Sequence, residues 1–126
     1  ASDVYKRQAN TYRIEIGDAV IVYCTDIEHP DDHLNPNVIE IATGADVLIK
    51  DAQFTDEELP DHKGWGHSSW QQSIALAQEA NVKQLVLFHH SPTHDDNAIR
   101  EIEEDAKAVF KNTIAAREGM EILLPV

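Results

Sequence analysis

Hydrophobic and polar positions near the start of the chain predict a β-hairpin. Residues 12–16 alternate between apolar and charged side chains, and residues 19–24 form a β-branched, apolar run. Gly17 and Asp18 lie between these segments, where they can adopt the positive φ of a two-residue turn. Because the second segment is apolar on both faces, we expect it to lie inside a sheet rather than at its edge.

The later apolar segments predict strands that alternate with helices. We expect a helix at residues 38–43, a strand at 46–49, a helix at about 69–80, a strand at 84–88, a long helix after residue 95 and a strand at 120–124. Ser68 and Gln71 have the spacing of a capping box for the second helix. The apolar face of the third helix runs from Ile99 to Ile114, and Gly119 is expected at its carboxyl-terminal cap. The order β-β-α-β-α-β-α-β indicates an α/β fold with helices packed on a sheet.

Charge and cysteine content narrow the classes of partner. The 126 residues permit one domain, with ten basic and 23 acidic residues and a net charge of −13. This charge disfavours extended nucleic acid and anionic membranes as partners. Cys24 is the only cysteine, which excludes an intrachain disulfide and a thiolate zinc site. We therefore expect a cytoplasmic protein, because the chain also lacks a secretory signal and any apolar run approaching the roughly 20 residues that span a bilayer.

Histidines and acids at the ends of the predicted strands carry the candidate chemistry. The chain has seven histidines, a number that favours a metal site built from imidazole and carboxylate. Asp26 follows the second predicted strand, Asp51 follows the third, and His89 follows the fourth. In α/β sheets, binding and catalytic sites form at this edge of the sheet.

Three segments together resemble the metallo-β-lactamase superfamily, in particular its ribonuclease Z-like and cyclic-phosphodiesterase-like branch. They are the strand and acid at residues 22–26, the sequence of residues 45–52 followed by Gly-His-Ser-Ser at 66–69, and the strand with two histidines at 85–91. The resemblance extends from about residue 12 to the C-terminus. It implies an α/β fold of the α+β sandwich type, the C-terminal half of the αββα metallo-β-lactamase fold.

The resemblance also implies roles for individual residues around two divalent metal ions, with zinc favoured and manganese or iron as alternatives. Asp26 matches the aspartate that bridges the two ions, and His89 matches the histidine that closes the second metal site. His67 matches the histidine of a His-Ser-Thr motif that donates a proton near the scissile phosphate. Asp51 stands where a glutamate of a His-Glu-Ala-Thr motif orients that histidine, and Lys50 replaces the first histidine of the same motif.

One family motif has no counterpart in the chain. The His-x-His-x-Asp-His motif and a further histidine ligand would lie upstream of residue 12. Residues 1–8 contain no methionine and resemble translated sequencing-adapter sequence. We therefore expect residues 1–8 to be a non-native segment and residues 9–126 to be half of a domain. The chain would then be a truncated and inactive portion of its parent.

The leading functional hypothesis is a metal-dependent hydrolase, a phosphodiesterase acting on a small-molecule, nucleotide-like or cyclic phosphate. A lactonase or thioesterase of the same fold and a non-catalytic binding module are the alternatives. A half domain would expose an apolar sheet face, which favours a homo-oligomer. Asp26 and Asp51 could instead be turn acids, and His89 could be an ordinary strand-end residue. His67 could instead contribute packing at the start of the second helix. His90 and His94 could face the substrate or lie in a solvated loop. His29 and His33 could reach the site mouth, because they lie in the loop after Asp26. Trp65 and Trp70 are expected to contribute packing.

Overall fold

A six-stranded β-sheet organises the chain in the computed structural model, which describes residues 11–25, 29, 33–122 and 124 and the backbone of residues 2–8. The strands are β1 (Ser2–Gln8), β2 (Thr11–Ile16), β3 (Ala19–Cys24), β4 (Val47–Asp51), β5 (Gln84–Phe88) and β6 (Thr113–Ala115). The helices are α1 (Pro36–Ala42), α2 (Trp70–Glu79) and α3 (Asp96–Val109), with a 3₁₀ helix at Leu59–His62. The strands lie in chain order, antiparallel from β1 to β3 and parallel from β3 to β6.

The predicted hairpin and the interior position of its second strand are confirmed. Ile16 pairs with Ala19 across the turn, where Gly17 has a φ of +59°. β3 lies between β2 and β4, and its Val22 and Cys24 side chains are fully buried in the core. The buried face of this strand follows from its position under the helices, whereas Tyr23 on the opposite face is 37% exposed.

The core lies between the parallel strands and the helices. Leu48 of β4 and Leu85 and Leu87 of β5 are fully buried, and they meet Leu76 of α2 and Ala106 of α3 in one hydrophobic cluster. Burial of each leucine stabilises the fold by about 1.5–3 kcal/mol. This packing holds the carboxyl ends of β4 and β5 side by side, with Asp51 paired to Phe88 at the last position of the ladder.

The predicted helices are present, with shifts at their ends. α1 begins at Pro36, where the side chain of Asn35 accepts a hydrogen bond from the Asn37 N–H at 2.9 Å. The capping box of α2 is formed by Ser69 and Gln72, one residue later than predicted. Ser68 with Gln71 and Ser69 with Gln72 have the same spacing, so the sequence cannot distinguish the two pairs. Ser68 is buried and bonds to Lys50 instead, so tertiary contacts decide which serine caps α2.

The prediction for the carboxyl-terminal part is wrong. α3 ends at Val109, and Ile114 lies in β6 rather than on the helix. Gly119 lies in a turn with a φ of +77°, and described residues 120–122 and 124 are not in a strand. The apolar positions after residue 109 continue the helical spacing, but the β-branched Thr113 and Ile114 extend the sheet beside β5. The spacing of apolar residues cannot distinguish a longer helix from a new strand when that strand has only three residues.

The start of the chain forms a strand that was not predicted, and the residue after β3 that was predicted to bind metal is not among the described residues. Residues 2–8 were left out of the predicted order, yet their backbone forms β1 and pairs with β2. The observed order is therefore β-β-β-α-β-α-β-α-β, and a non-native origin of residues 1–8 stays a prediction. Asp26 lies outside the described residues. Within the described part of the chain, no helix is long and apolar enough to cross a membrane.

Glu103 attaches β6 to α3. Its side chain is 10% exposed, and it accepts hydrogen bonds from the Ala115 N–H at 2.5 Å and from Arg117 at 3.1 Å. Burial alone would raise the pKa of the Glu103 carboxyl, but the Ala115 hydrogen bond and the charges of Arg117 and Lys107 hold that pKa below its ordinary value. The carboxylate therefore stabilises the edge of the sheet.

Glu103→Gln is expected to lower the free energy of unfolding at pH 7 by about 1–3 kcal/mol, because a charged acceptor for a buried N–H is lost. The pKa of Glu103 is depressed in the folded protein, so its stabilisation is present above the unfolded value of about 4.3 and is lost as the pH falls through the folded value. Urea unfolding between about pH 7 and 3 should show a weaker pH dependence for the variant. Glu104→Gln, at an exposed position of the same helix, is the matched control. Equal pH profiles for Glu103→Gln and the unsubstituted chain would contradict this role.

Candidate functional site

Three predicted site residues meet at the carboxyl ends of β4 and β5. Asp51 is the last residue of β4, His89 follows the end of β5, and His67 lies just before α2. One ligand atom from each side chain lies within 4.8 Å of the others. Parallel strands end at the same edge of a sheet, so the topology brings these residues together from distant positions in the sequence.

The His67 ring faces the carboxylate of Asp51. The distance from Nδ1 of His67 to Oδ2 of Asp51 is 3.5 Å, and the Asp51 side chain is fully buried while that of His67 is 16% exposed. The same Oδ2 accepts a hydrogen bond from the backbone N–H of Ser68 at 3.2 Å. A carboxylate beside Nδ1 favours the tautomer with its proton on Nδ1, which leaves Nε2 as the nitrogen for chemistry.

His89 is exposed and has an uncommon backbone conformation. Its φ is +56°, in the left-handed region that residues other than glycine adopt rarely and at a cost of about 1–3 kcal/mol. Its ring meets the His67 ring edge-on, with centroids 4.7 Å apart. Strained residues of this kind cluster at ligand and catalytic sites. The conformation therefore supports a functional role for His89 over that of an ordinary strand-end residue.

Lys50 is the residue that sequence reasoning missed. Its side chain is fully buried, and its Nζ donates to Oδ1 of Asp51 at 2.5 Å and to Oγ of Ser68 at 2.7 Å. The signal in the sequence was a lysine inside an apolar strand, directly before an acid. Lysine is almost never fully buried unless its charge is paired, so this position indicates a specific partner.

The other histidines lie outside this group of three. His29 is buried, its Nδ1 accepts the Asn35 N–H at 3.0 Å, and burial together with the nearby Lys50 charge lowers its pKa to about 3. His94 contacts Glu58 at 2.8 Å, which joins the loop after β5 to the segment before the 3₁₀ helix. Burial lowers the pKa of the half-buried His90, and His33 is exposed. His29 and His94 thus have structural partners. A place for His29 at the site mouth and a substrate-facing role for His94 stay predictions.

An aromatic cluster extends from the site to the surface. The buried Phe54 stacks on His62 at 4.2 Å, and its ring centroid lies 6.3 Å from that of Trp65 and 6.2 Å from that of His67. Its carbonyl accepts the Trp70 N–H at 3.0 Å, which holds the start of α2 near the end of β4. Trp70 packs against the core as expected, whereas Trp65 is 62% exposed and contributes less packing than expected.

The donor set fits a divalent metal ion. Imidazole nitrogen and carboxylate oxygen are the ligands that zinc takes in the absence of thiolates, and manganese and iron accept the same donors. His89 suits a terminal ligand because it is exposed at the strand end. Asp51 already accepts hydrogen bonds from Lys50 and Ser68 and faces His67, so it is better suited to orient the histidine than to bind the ion.

Known proteins share the motifs and the fold of this chain. A family model described as "Beta-lactamase superfamily domain" matches residues 2–90. The chain is 46% identical over 88 residues to ribonuclease Z from Archaeoglobus fulgidus, and 36% identical over 102 residues to ribonuclease Z from Bacteroides fragilis. The chain therefore belongs to the beta-lactamase superfamily, as its motifs indicated. These matches cover 67% and 81% of the chain but 27% and 31% of the relatives, so the chain spans about a third of their length or less.

Solved structures show the same architecture. The metallo-β-lactamase fold protein YhfI from Bacillus subtilis has a TM-score of 0.70 and 25% identity, over 87% of this chain and 42% of that one. The short form of human tRNase Z has a TM-score of 0.62 and 18% identity, over 99% of this chain and 46% of that one. The second likeness concerns the fold alone. The chain thus has a ribonuclease Z-like metallo-β-lactamase fold.

Asp51→Asn is expected to lower the free energy of unfolding by about 3–5 kcal/mol, because it leaves the buried Lys50 ammonium without an opposite charge. Asp46→Asn is the matched control, since Asp46 pairs at 2.9 Å with Lys83, whose side chain is 59% exposed. Water compensates that lysine, so the control should lose about 1 kcal/mol. Urea unfolding at pH 7 measures both variants. Equal losses of unfolding free energy in the two variants would show that the buried pair contributes no more to stability than the surface pair.

Proposed function

We propose that the chain is part of a metal-dependent phosphodiesterase. The observation that carries this proposal is the meeting of Asp51, His67 and His89 at the edge of the sheet. Hydrolysis of a phosphodiester requires activation of water, relief of negative charge and a proton for the leaving oxygen. A histidine beside a candidate metal ligand, with a buried acid behind it, provides the last of these needs.

Each residue has one role in this proposal. His89 would hold a divalent metal ion as an imidazole ligand, and Asp26 would be a carboxylate ligand of a two-metal site. When bound, the metal ions supply an activated water and stabilise the charge of the phosphate. His67 donates a proton to the leaving-group oxygen, and Asp51 holds the ring so that Nε2 faces the substrate. Zinc is the proposed metal, with manganese and iron as alternatives.

The substrate is proposed to be a phosphodiester bond of RNA or of a smaller nucleotide. The acidic composition led us to expect a small-molecule phosphate and no extended nucleic acid, but the relatives named ribonuclease Z point to RNA. A net charge of −13 opposes long contacts with a phosphate backbone. We therefore expect recognition of one phosphodiester and its flanking groups. Dinucleotides, longer RNA and cyclic nucleotides tested side by side will rank these substrates.

Two alternatives remain testable beside the phosphodiesterase. A lactonase or thioesterase of the same fold would hydrolyse lactones or thioesters and leave phosphodiesters intact, although Gly66, His67 and Ser68 match a phosphate-linked motif. A non-catalytic binding module would bind a metal ion or a nucleotide and hydrolyse neither lactones nor phosphodiesters. The homo-oligomer expected from an exposed sheet face stays a prediction, and light scattering would measure it.

Leaving-group dependence tests the role proposed for His67. His67→Ala should lower kcat for a dinucleotide about 100-fold or more, because the ribose oxygen leaves with a proton. With bis-p-nitrophenyl phosphate the loss should be below about 10-fold, because nitrophenolate leaves without protonation. Turnover is measured with added zinc or manganese in the 126-residue chain and in a chain extended to the length of the curated relatives.

His89→Ala is the matched comparison for this test. Loss of a metal ligand should lower turnover of both substrates by the same factor, and chelation of the metal should do the same. Equal losses on both substrates for His67→Ala would contradict its role as proton donor. Unchanged turnover in His89→Ala, or turnover in the presence of excess chelator, would contradict the proposed function itself.

A further inference from the structure

The most unusual charge in the described residues is the ammonium of Lys50. It belongs to the largest fully buried side chain, and its neighbours across the sheet are Cys24 on β3 and Leu87 on β5, both in the core. Two residues earlier, Leu48 faces the same core. The stem of Lys50 therefore extends through apolar surroundings, and only its Nζ reaches polar groups at the strand end.

Burial of an ammonium costs several kcal/mol in fold stability unless an opposite charge and hydrogen bonds compensate it. Among the described residues, the groups close to Lys50 offer one such charge. Burial raises the pKa of the Cys24 thiol, and burial lowers the pKa of His29 to about 3, so both are neutral at pH 7. The carboxylate of Asp51 is the remaining partner, and it lies in direct contact with Nζ.

Lys50, Asp51 and Ser68 form a closed ring of hydrogen bonds. Lys50 donates to Oδ1 of Asp51 and to Oγ of Ser68, and the Ser68 N–H donates to Oδ2 of Asp51. Neighbouring residues of a strand normally point to opposite faces, and this contact is made because Asp51 is the last residue of β4. The ring attaches the segment before α2 to the strand end, and His67 is the residue next to Ser68.

We propose, on the basis of the function proposed above, that Lys50 is a positioning residue for His67. Its ammonium holds Oδ1 of Asp51, so that Oδ2 faces the segment of His67 and Ser68. Oδ2 lies 3.5 Å from Nδ1 of His67, where its negative charge favours a proton on Nδ1 and leaves Nε2 for the substrate. Lys50 touches neither substrate nor metal. It acts through the carboxylate, and it does so from inside the hydrophobic core.

The tautomer of His67 is the direct readout. Long-range 1H–15N spectra of the 15N-labelled chain are recorded at about pH 8.5, two units above the ordinary histidine pKa. His67→Asn identifies the His67 resonances by their loss. We expect one tautomer, with the proton on Nδ1, in the unsubstituted chain. Lys50→Met, which keeps the length of the side chain and removes its charge, should convert this to a mixture of both tautomers.

Lys83→Met is the matched control, because Lys83 pairs with Asp46 at the surface and should leave the His67 spectrum unchanged. If Lys50→Met does not fold, Lys50→Gln is used, which removes the ammonium, keeps a polar group at this position and leaves Asp51 in place. A mixture of tautomers in that variant supports the positioning role. A single Nδ1–H tautomer of His67 in either folded variant overturns it.

Kinetics separate this role from the proposed function. Lys50→Met should reproduce the pattern of His67→Ala, with kcat for a dinucleotide lowered about 10-fold or more and KM within about 2-fold. Equal kcat on the dinucleotide in Lys50→Met and the unsubstituted enzyme would overturn the positioning role while the phosphodiesterase stands. A tautomer change in a protein that hydrolyses no phosphodiester would support the positioning of His67 and overturn the proposed function.

Discussion

The buried ion pair between Lys50 and Asp51 connects the core of this protein to its candidate site. Nζ of Lys50 lies 2.5 Å from the Asp51 carboxylate, and both side chains are inaccessible to water. An ion pair in that environment is costly to form and more costly to break. It gives the strand end and the segment of His67 and Ser68 a defined relative position, which an exposed pair would not.

The parallel part of the sheet supplies the rest of the geometry. β4 and β5 end at the same edge, so Asp51 and His89 lie close together although they are 38 positions apart in the sequence. The Trp70 N–H donates to the Phe54 carbonyl, which holds the start of α2 near the segment after β4. The site thus lies at the ends of β4 and β5, and His89, with its positive φ, directly follows β5.

Electrostatics divide the molecule into an acidic exterior and a site that a metal can neutralise. The net charge of −13 repels phosphates at long range, whereas the donors at the strand ends attract a cation. A bound divalent ion would reverse the local charge where a phosphate approaches. The buried Lys50 does not serve this purpose, because its charge is already matched by Asp51.

The sequence by itself determined the hairpin, the strand β5 and the helix α2, and it pointed to three candidate site residues that the structure brings together. These features depend on local patterns: alternation, a capping box, and polar residues at strand ends. It did not determine which serine caps α2, because Ser68 and Ser69 satisfy the same spacing and the Lys50 contact decides between them. It also did not assign Ile114 to β6, because pairing with β5 is a long-range contact. In the sequence, Lys50 was only a residue that departs from the family motif. The tertiary structure identifies it as the partner of Asp51, because burial and charge compensation depend on how the chain packs.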